Sequence, residues 1–287
     1  MFEVQDICFR YKSRQVLRDV SIRIGASLTA VIGPNAAGKT TFIKCLAGLL
    51  LPRGAILVEG QPMEKWKKTI LKEMLSYLPQ QSDDKALLTV FEAVLLGRLS
   101  KLSWRVKDED LDITLSVLQE LGIEHLAPRF LNELSGGQQQ MVSIAQALAK
   151  QPRILLMDEP TNNLDLHRQL EVFEFIASLT RKRGLTSIVA LHDLNFAARF
   201  AEQLIVLHEG EVYASGTPDE VLTESLLLTV YGVEAKVMYD DMGVPQIIPI
   251  RAAHSKCPRP GDLSCSVGPE FFSEETSMES AIQRGDS

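Results

Sequence analysis

The segment Gly33-Pro34-Asn35-Ala36-Ala37-Gly38-Lys39-Thr40 constrains this chain more than any other. It follows a short apolar run, Leu28 to Ile32, and precedes a stretch of helical periodicity from Thr40 to Leu50, which Pro52 and Gly54 are expected to stop. A glycine-rich loop between a strand and a helix aims successive backbone N–H groups into one concavity. The helix N-terminus adds roughly half a positive charge there. The spacing G-x-x-x-x-G-K-[ST] therefore reads as a phosphate cradle. Lys39 can reach the β- and γ-phosphates of a nucleotide, and Thr40 offers its hydroxyl to Mg²⁺, with Thr41 beside it.

A second half of such a site is a carboxylate at the end of an apolar strand. Arg153-Ile154-Leu155-Leu156-Met157-Asp158-Glu159 supplies two. Asp158 is positioned to hold Mg²⁺ through water. Glu159 is positioned to polarise an attacking water, a general-base role worth about 10²–10⁴ in rate.

The rest of the pattern is alternating α and β with one interruption. Strand signals occur at 2–5, 21–24, 28–32, 55–59 and 76–78, and again at 154–157, 186–191, 204–207 and 211–214. Between them, Thr89 to Leu99, Asp108 to Leu121 and Gln138 to Lys150 are helical in period with no strand signal. Helices are also expected at Leu166 to Lys182 and Asp193 to Ala201. Thr217-Pro218-Asp219-Glu220 fits a capping box with Pro at the first helical position. From Ala252 to Ser287 the chain turns rich in Ser, Pro and Gly without apolar periodicity, and reads as a disordered tail.

Composition narrows the function classes. The formal net charge of −7 lacks the basic field that nonspecific nucleic-acid binding needs. No apolar run is long enough to cross a membrane, and the N-terminus lacks the basic start and apolar core of a signal peptide. A cytosolic location is expected. Cys8, Cys45, Cys257 and Cys265 show no C-x-x-C spacing, so neither a zinc knuckle nor a disulfide framework is indicated.

Leu134-Ser135-Gly136-Gly137-Gln138 opens a helix shortly before Asp158. With this segment, in this order after the phosphate loop, the chain resembles the nucleotide-binding subunits of ABC transporters over residues 2 to 250. The resemblance implies a P-loop (RecA-like) α/β ATPase core at residues 1–81 and 152–235, with an antiparallel β subdomain. It implies an all-helical signature subdomain inserted at about 82–151, and C-terminal strands at 236–251, so that the ATPase domain spans 1–251. It also implies a head-to-tail homodimer holding two ATP molecules, in which Ser135, Gly136, Gly137 and Gln138 of one subunit cap the γ-phosphate bound by the other.

Further roles are carried over from the family one residue at a time. Tyr11 matches the aromatic that stacks on adenine, and Gln80 the glutamine that senses Mg²⁺ and links the core to the helical insertion, with Gln81 as its neighbour in register. Asp165 matches the loop aspartate that crosses the dimer interface, and His192 the histidine that contacts the γ-phosphate. Gly33, Pro34, Asn35, Ala36, Ala37 and Gly38 form the cradle. Ala36 stands where the family commonly has Gly, and is acceptable there only at negative φ. Gln139, Met141 and Gln146 replace residues that are often Arg.

Three functions fit an ABC ATPase: a transporter subunit, a soluble ATPase working on DNA, ribosomes or iron–sulfur assembly, and a nucleotide-dependent interaction protein without turnover. The interval from Lys39 to Leu134 is too short for the long coiled-coil arms of DNA-repair relatives, and there is one phosphate loop rather than a tandem pair. No membrane segment is fused, so a separate permease dimer is implied, with this subunit peripheral on the cytoplasmic face of the membrane. The segments Leu95-Leu96-Gly97-Arg98, Leu191 to Arg199, Gly216 to Leu222 and Val230-Tyr231-Gly232-Val233-Glu234 look like those of iron–siderophore, haem and cobalamin importers, which take cargo from an extracytoplasmic binding protein. A transporter for another cargo is the alternative within the family.

Overall fold

The computed structural model describes residues 1–80, 87–98, 106–162 and 164–253. The tail from 254 onward, with Cys257 and Cys265, lies outside the described residues, as do Gln81, Leu99 and Asn163.

Two long strands, β1 (Phe2–Tyr11) and β2 (Arg14–Ile24), form an antiparallel hairpin. The sequence marks only their outer ends, because the period of two fails inside them. Asp6 takes φ 47° and the register shifts between Val4 and Ile7 and again before Arg10, which is bulge geometry. Then follow β3 (Leu28–Ile32), α1 (Lys39–Leu46), β4 (Arg53–Val58), the short β5 (Gln61–Pro62), α2 (Lys68–Met74) and β6 (Leu75–Leu78). Helix α1 ends at Leu46, well before Pro52. Gly48 adopts φ 69° and donates to the Cys45 carbonyl, with Leu49 donating to Lys44, so the last turn closes on itself.

Three helices follow, α3 (Val90–Leu96), α4 (Asp108–Glu120) and α5 (Gly136–Ala149). Thr89 caps α3 in a reciprocal box with Glu92, the Thr89 amide donating to its carboxylate at 2.8 Å. Val90, Val94, Leu118, Ile144 and Leu148 pack their shared apolar faces into the core. A Cβ on Gly97 would meet the Gln146 carbonyl at 2.3 Å, so α3 and α5 approach as closely as they do because this residue is Gly. Arg98 then enters the interior. Its Nε donates to Asp110 Oδ1 at 2.6 Å and its Nη1 to the Ala149 carbonyl at 3.1 Å, pinning α3, α4 and α5 together.

The chain continues through β7 (Ile154–Asp158), α6 (Leu166–Arg183), β8 (Thr186–Ala190), α7 (Leu194–Phe200), β9 (Gln203–His208), β10 (Glu211–Gly216), α8 (Pro218–Val221), α9 (Glu224–Tyr231), β11 (Val233–Tyr239) and β12 (Pro245–Ala252). The main sheet has the order β10-β9-β3-β8-β7-β6, parallel except for β10. Strands β3, β7 and β8 are buried at every residue. That is why they are mostly apolar and do not alternate, the exceptions being Thr29, Asp158, Thr186 and Ser187. A second sheet, β2-β1-β4-β5, is antiparallel. Helix α1 sits between the two sheets, with Phe42, Ile43 and Leu46 packed among Phe2 and Leu17 on one side and Val31 and Leu156 on the other. Burying a side chain like Phe42 contributes about 1.5–3 kcal/mol.

The C-terminal hairpin begins at Val233, earlier than the expected 236, because Gly232 in the left-handed conformation ends α9 and turns the chain directly into β11. Asn195 of α7 fastens the hairpin by exchanging two hydrogen bonds with the Ile247 backbone, at 2.7 and 3.3 Å.

Candidate functional site

The loop at 33–38 leaves β3 at the carboxyl edge of the parallel sheet and enters α1. Gly33 adopts φ 146°, and a Cβ there would lie 2.1 Å from the Leu207 carbonyl, so no larger residue fits. Gly38 caps α1 at φ 108°. Ala36 adopts φ 63°, which is the strained branch of the expectation stated above. A left-handed L-residue costs roughly 1–2 kcal/mol.

Lys39 is buried. Its Nζ donates to the Gly33 carbonyl at 2.7 Å and the Pro34 carbonyl at 3.2 Å. Burial pushes its amine down from the ordinary value, and the carboxylates of Glu159 and Asp158 pull it partly back. Thr40 Oγ1 donates to Asp158 Oδ1 at 3.0 Å. Asp158 is buried at the end of β7, and its carboxyl is pushed up by that burial against the opposing hydrogen bond from Thr40.

Glu159 follows in the left-handed region, at φ 50°, its amide donating to the Ala190 carbonyl of β8 at 3.1 Å. That twist turns its carboxylate out of the strand. Gln80 Nε2 donates to Glu159 Oε2 at 2.7 Å, and Asn162 Nδ2 donates to the same oxygen. A cleft of about 550 Å³ is lined by the loop from Asn35 to Thr41, by Gln80 and Glu159, and by Tyr11, Arg14 and Val16 at the turn of the β1–β2 hairpin. Tyr11 is 45% exposed and meets Phe9 edge-on, centroids 4.9 Å apart, which steadies the ring at the mouth of the cleft.

The other expected residues stand apart from this cleft. Ser135 caps α5, its amide donating to Gln138 Oε1 at 3.0 Å, with Gly136 and Gly137 in the first helical turn. The expected helix from Gln138 thus starts at Gly136. A Cβ on Gly136 would meet nothing within 4 Å, so this face is open. Asp165 caps α6 by accepting from the Arg168 amide at 2.9 Å. His192 lies just past β8, on the same sheet edge as Glu159, exposed and without a hydrogen bond to any described residue. Sequence reasoning gave no role to Asn162, Arg14 or Val16. Asn162 was findable, since it lies three residues beyond Glu159 in a tight turn.

The oxygen set at Thr40 and Asp158 suits a hard cation such as Mg²⁺, which is held by one or two protein oxygens and completed by water and substrate phosphates. Among the described residues, no cluster of three His, Cys, Asp or Glu forms a self-sufficient metal cage. The donors therefore fit a metal shared with a nucleotide.

A sequence profile described as ABC transporter matches residues 17–162. The chain belongs to the ABC transporter family. It is similar to an ABC transporter ATP-binding protein of Methanocaldococcus jannaschii, at 41% identity over 87% of this chain and 98% of the relative. It is 34% identical to the ferric enterobactin transport ATP-binding protein FepC of Escherichia coli, covering 86% and 93%. It is 37% identical to the iron(3+)-hydroxamate import ATP-binding protein FhuC of Bacillus subtilis, covering 80% and 87%. Among solved structures, an inward-facing metal-chelate type ABC transporter shares the fold at TM-score 0.75 and 24% identity, over 87% of this chain and 97% of that one. A dimeric ATP-binding cassette from an ABC transporter, in a post-hydrolysis state with ADP and phosphate, aligns at TM-score 0.69 and 28% identity, over 76% and 99%. The P-loop α/β core, the antiparallel sheet and the helical insertion are those of an ABC ATPase, which binds ATP and ADP.

Proposed function

We propose that this ABC ATPase is the peripheral, ATP-hydrolysing subunit of an importer for an iron–siderophore, haem or cobalamin-type metal chelate. The observation that carries its ATPase half is the convergence of Lys39, Thr40, Gln80 and Glu159 on one cleft, with Asp158 bound to Thr40 at its edge. The cargo class rests on similarity to ATP-binding subunits of siderophore transport. No helix among the described residues is long and apolar enough to cross a membrane. In this reading a permease dimer supplies the pathway for cargo.

The mechanism follows from the residues. Tyr11 stacks on adenine, and the 33–41 loop and Lys39 wrap the phosphates. Thr40 and Asp158 would hold Mg²⁺ and Gln80 would sense it; when bound, the ion would supply neutralisation of phosphate charge. Glu159 takes a proton from the attacking water, and Gln80 and Asn162 hold its carboxylate in line. His192, as a neutral imidazole, hydrogen-bonds the γ-phosphate.

The site is half built in one subunit. The N-terminus of α5, with Ser135, Gly136, Gly137 and Gln138, faces outward and closes on the γ-phosphate held by a second copy, while Asp165 crosses the same interface. Closure of this homodimer swings the helical insertion, and Gln80 carries that motion to the permease, which receives its cargo from an extracytoplasmic binding protein. Membrane extraction of the tagged chain with a co-expressed permease tests the reading. ATP-dependent uptake of a ferric siderophore or haem supports it, and isolation only as a soluble complex with scaffold proteins overturns it.

A further inference from the structure

Arg14 lines the nucleotide cleft together with Tyr11 and Val16. Tyr11 and Arg14 stand opposite each other in the β1–β2 register, joined by the two-residue turn Lys12-Ser13. Directly opposed residues project on one face of a ribbon, their Cβ atoms about 5 Å apart. The same face returns two residues on, at Val16.

This ribbon is fixed against the phosphate loop. A Cβ on Gly38 would lie 3.1 Å from the Val16 carbonyl, and one on Gly210 would lie 2.4 Å from it. The Arg18 amide donates to the Gly210 carbonyl at 2.8 Å. The first residues of β2 are thus wedged between Gly38 and the β9–β10 turn. From Val16 the strand runs back about 7 Å to Arg14. The Arg14 side chain therefore has the interval between Tyr11 and Gly38 within reach.

Two residues lining the cleft carry positive charge, Lys39 and Arg14. Lys39 is engaged by the Gly33 and Pro34 carbonyls. Among the described residues, no ion pair or side-chain hydrogen bond engages Arg14. The carboxylate on the same cleft, Glu159, is held by Gln80 and Asn162. A guanidinium offers five donors in a planar fork and no acceptor, which matches phosphate oxygens. A nucleotide reaching from Tyr11 to the loop places its ribose and α-phosphate in the interval, and of these only the α-phosphate is charged.

We propose that Arg14 is a nucleotide-binding residue that pairs with the α-phosphate, a grip that does not depend on the γ-phosphate. This rests on the reading of residues 33–41 as the phosphate cradle and of Tyr11 as the adenine platform. The α-phosphate is present before and after hydrolysis, so the pairing strengthens binding of ATP and ADP alike and does not accelerate the chemical step.

The test uses the full chain with Mg²⁺-ATP and Mg²⁺-ADP, and with AMP and adenosine as competitors. Arg14→Gln removes the charge and keeps a polar side chain. It raises the Kd for both Mg²⁺ complexes and the inhibition constant of AMP by one common factor, about 3- to 10-fold, and leaves that of adenosine level. The KM for ATP rises with them and kcat changes much less. Added salt narrows the gap to the wild type. Arg14→Lys recovers part of the affinity, because it restores the charge without the fork. Unchanged affinity for ADP and AMP overturns the proposal. So does a loss confined to ATP, or one shared equally by adenosine, which would put Arg14 at the γ-phosphate or at the base. Lys39→Ala separates the proposal from its premise. If that variant still binds nucleotide normally, the cradle reading fails. If it loses binding while Arg14→Gln does not, only the role of Arg14 fails.

Discussion

Gln80 and Glu159 are joined by a 2.7 Å hydrogen bond between the Gln80 amide and Glu159 Oε2. One residue follows strand β6, the other follows β7, and the two strands are parallel neighbours. The bond therefore ties the segment leading into the helical insertion to the carboxylate proposed as the base. Losing it leaves the Glu159 carboxylate held by Asn162 alone, without removing any phosphate contact. Gln80→Ala is expected to lower kcat roughly 10-fold and to leave the KM for ATP nearly unchanged, because misplacing a reacting group costs rate rather than binding. Steady-state ATPase kinetics check this, and a change confined to KM contradicts it.

Glu159→Gln keeps the size of the side chain and an oxygen that Gln80 and Asn162 can still reach. It removes the proton acceptor. Turnover is expected to fall by about 10²-fold or more, with nucleotide affinity retained and an ATP-bound dimer accumulating on a sizing column. Near-normal hydrolysis removes Glu159 from the base role.

Ala36 has a side chain in a conformation that favours glycine. Ala36→Gly relieves the strain at some cost in unfolded-chain entropy, and the net expectation is a gain of about 1 kcal/mol. Urea unfolding of the two proteins measures the difference, and a loss of stability contradicts the backbone geometry of the loop.

The buried Arg98–Asp110 pair gives a pH signature. The Arg98 guanidinium beside Asp110 holds its carboxyl below the ordinary value of 3.8. A carboxyl depressed by folding stabilises the native state fully above its unfolded value. That stability is lost as pH falls through the folded value. Asp110→Asn leaves Arg98 buried without a counter-charge, so the variant is less stable at neutral pH. The gap to the wild type is expected to hold constant from about pH 6 to pH 8 and to narrow below about pH 4. A gap that does not vary with acid argues that the pair acts by packing alone.

Much of this architecture is legible in the sequence because local chemistry dictates it. The 33–40 loop demands a strand before it and a helix after it. Buried β3, β7 and β8 are mostly apolar and lack polar–apolar alternation, and Thr89 and Thr217 announce helix starts through their capping boxes. The less legible features depend on partners distant in the chain or on backbone shape. Strand β1 hides its length behind the Asp6 bulge. Helix α1 stops where Gly48 turns left-handed rather than at the more conspicuous Pro52. Helix α2, Lys67-Lys68 into Met74, offers too short an apolar face to announce itself. The role of Arg98 becomes visible only where α3, α4 and α5 close around it. In the site, Lys39, Thr40, Asp158 and Glu159 are identifiable from motif and strand end alone, whereas the left-handed turn at Glu159 emerges only from the folded chain.

The central claim is that each nucleotide is completed by the opposite subunit, since Ser135 and the open N-terminus of α5 line no part of the cleft in their own chain. ATPase activity per mole, measured across a dilution series alongside sedimentation, tests it most directly. The account predicts that specific activity falls in proportion to the fraction of dimer as the protein is diluted. Constant specific activity at concentrations where only monomer sediments would contradict it.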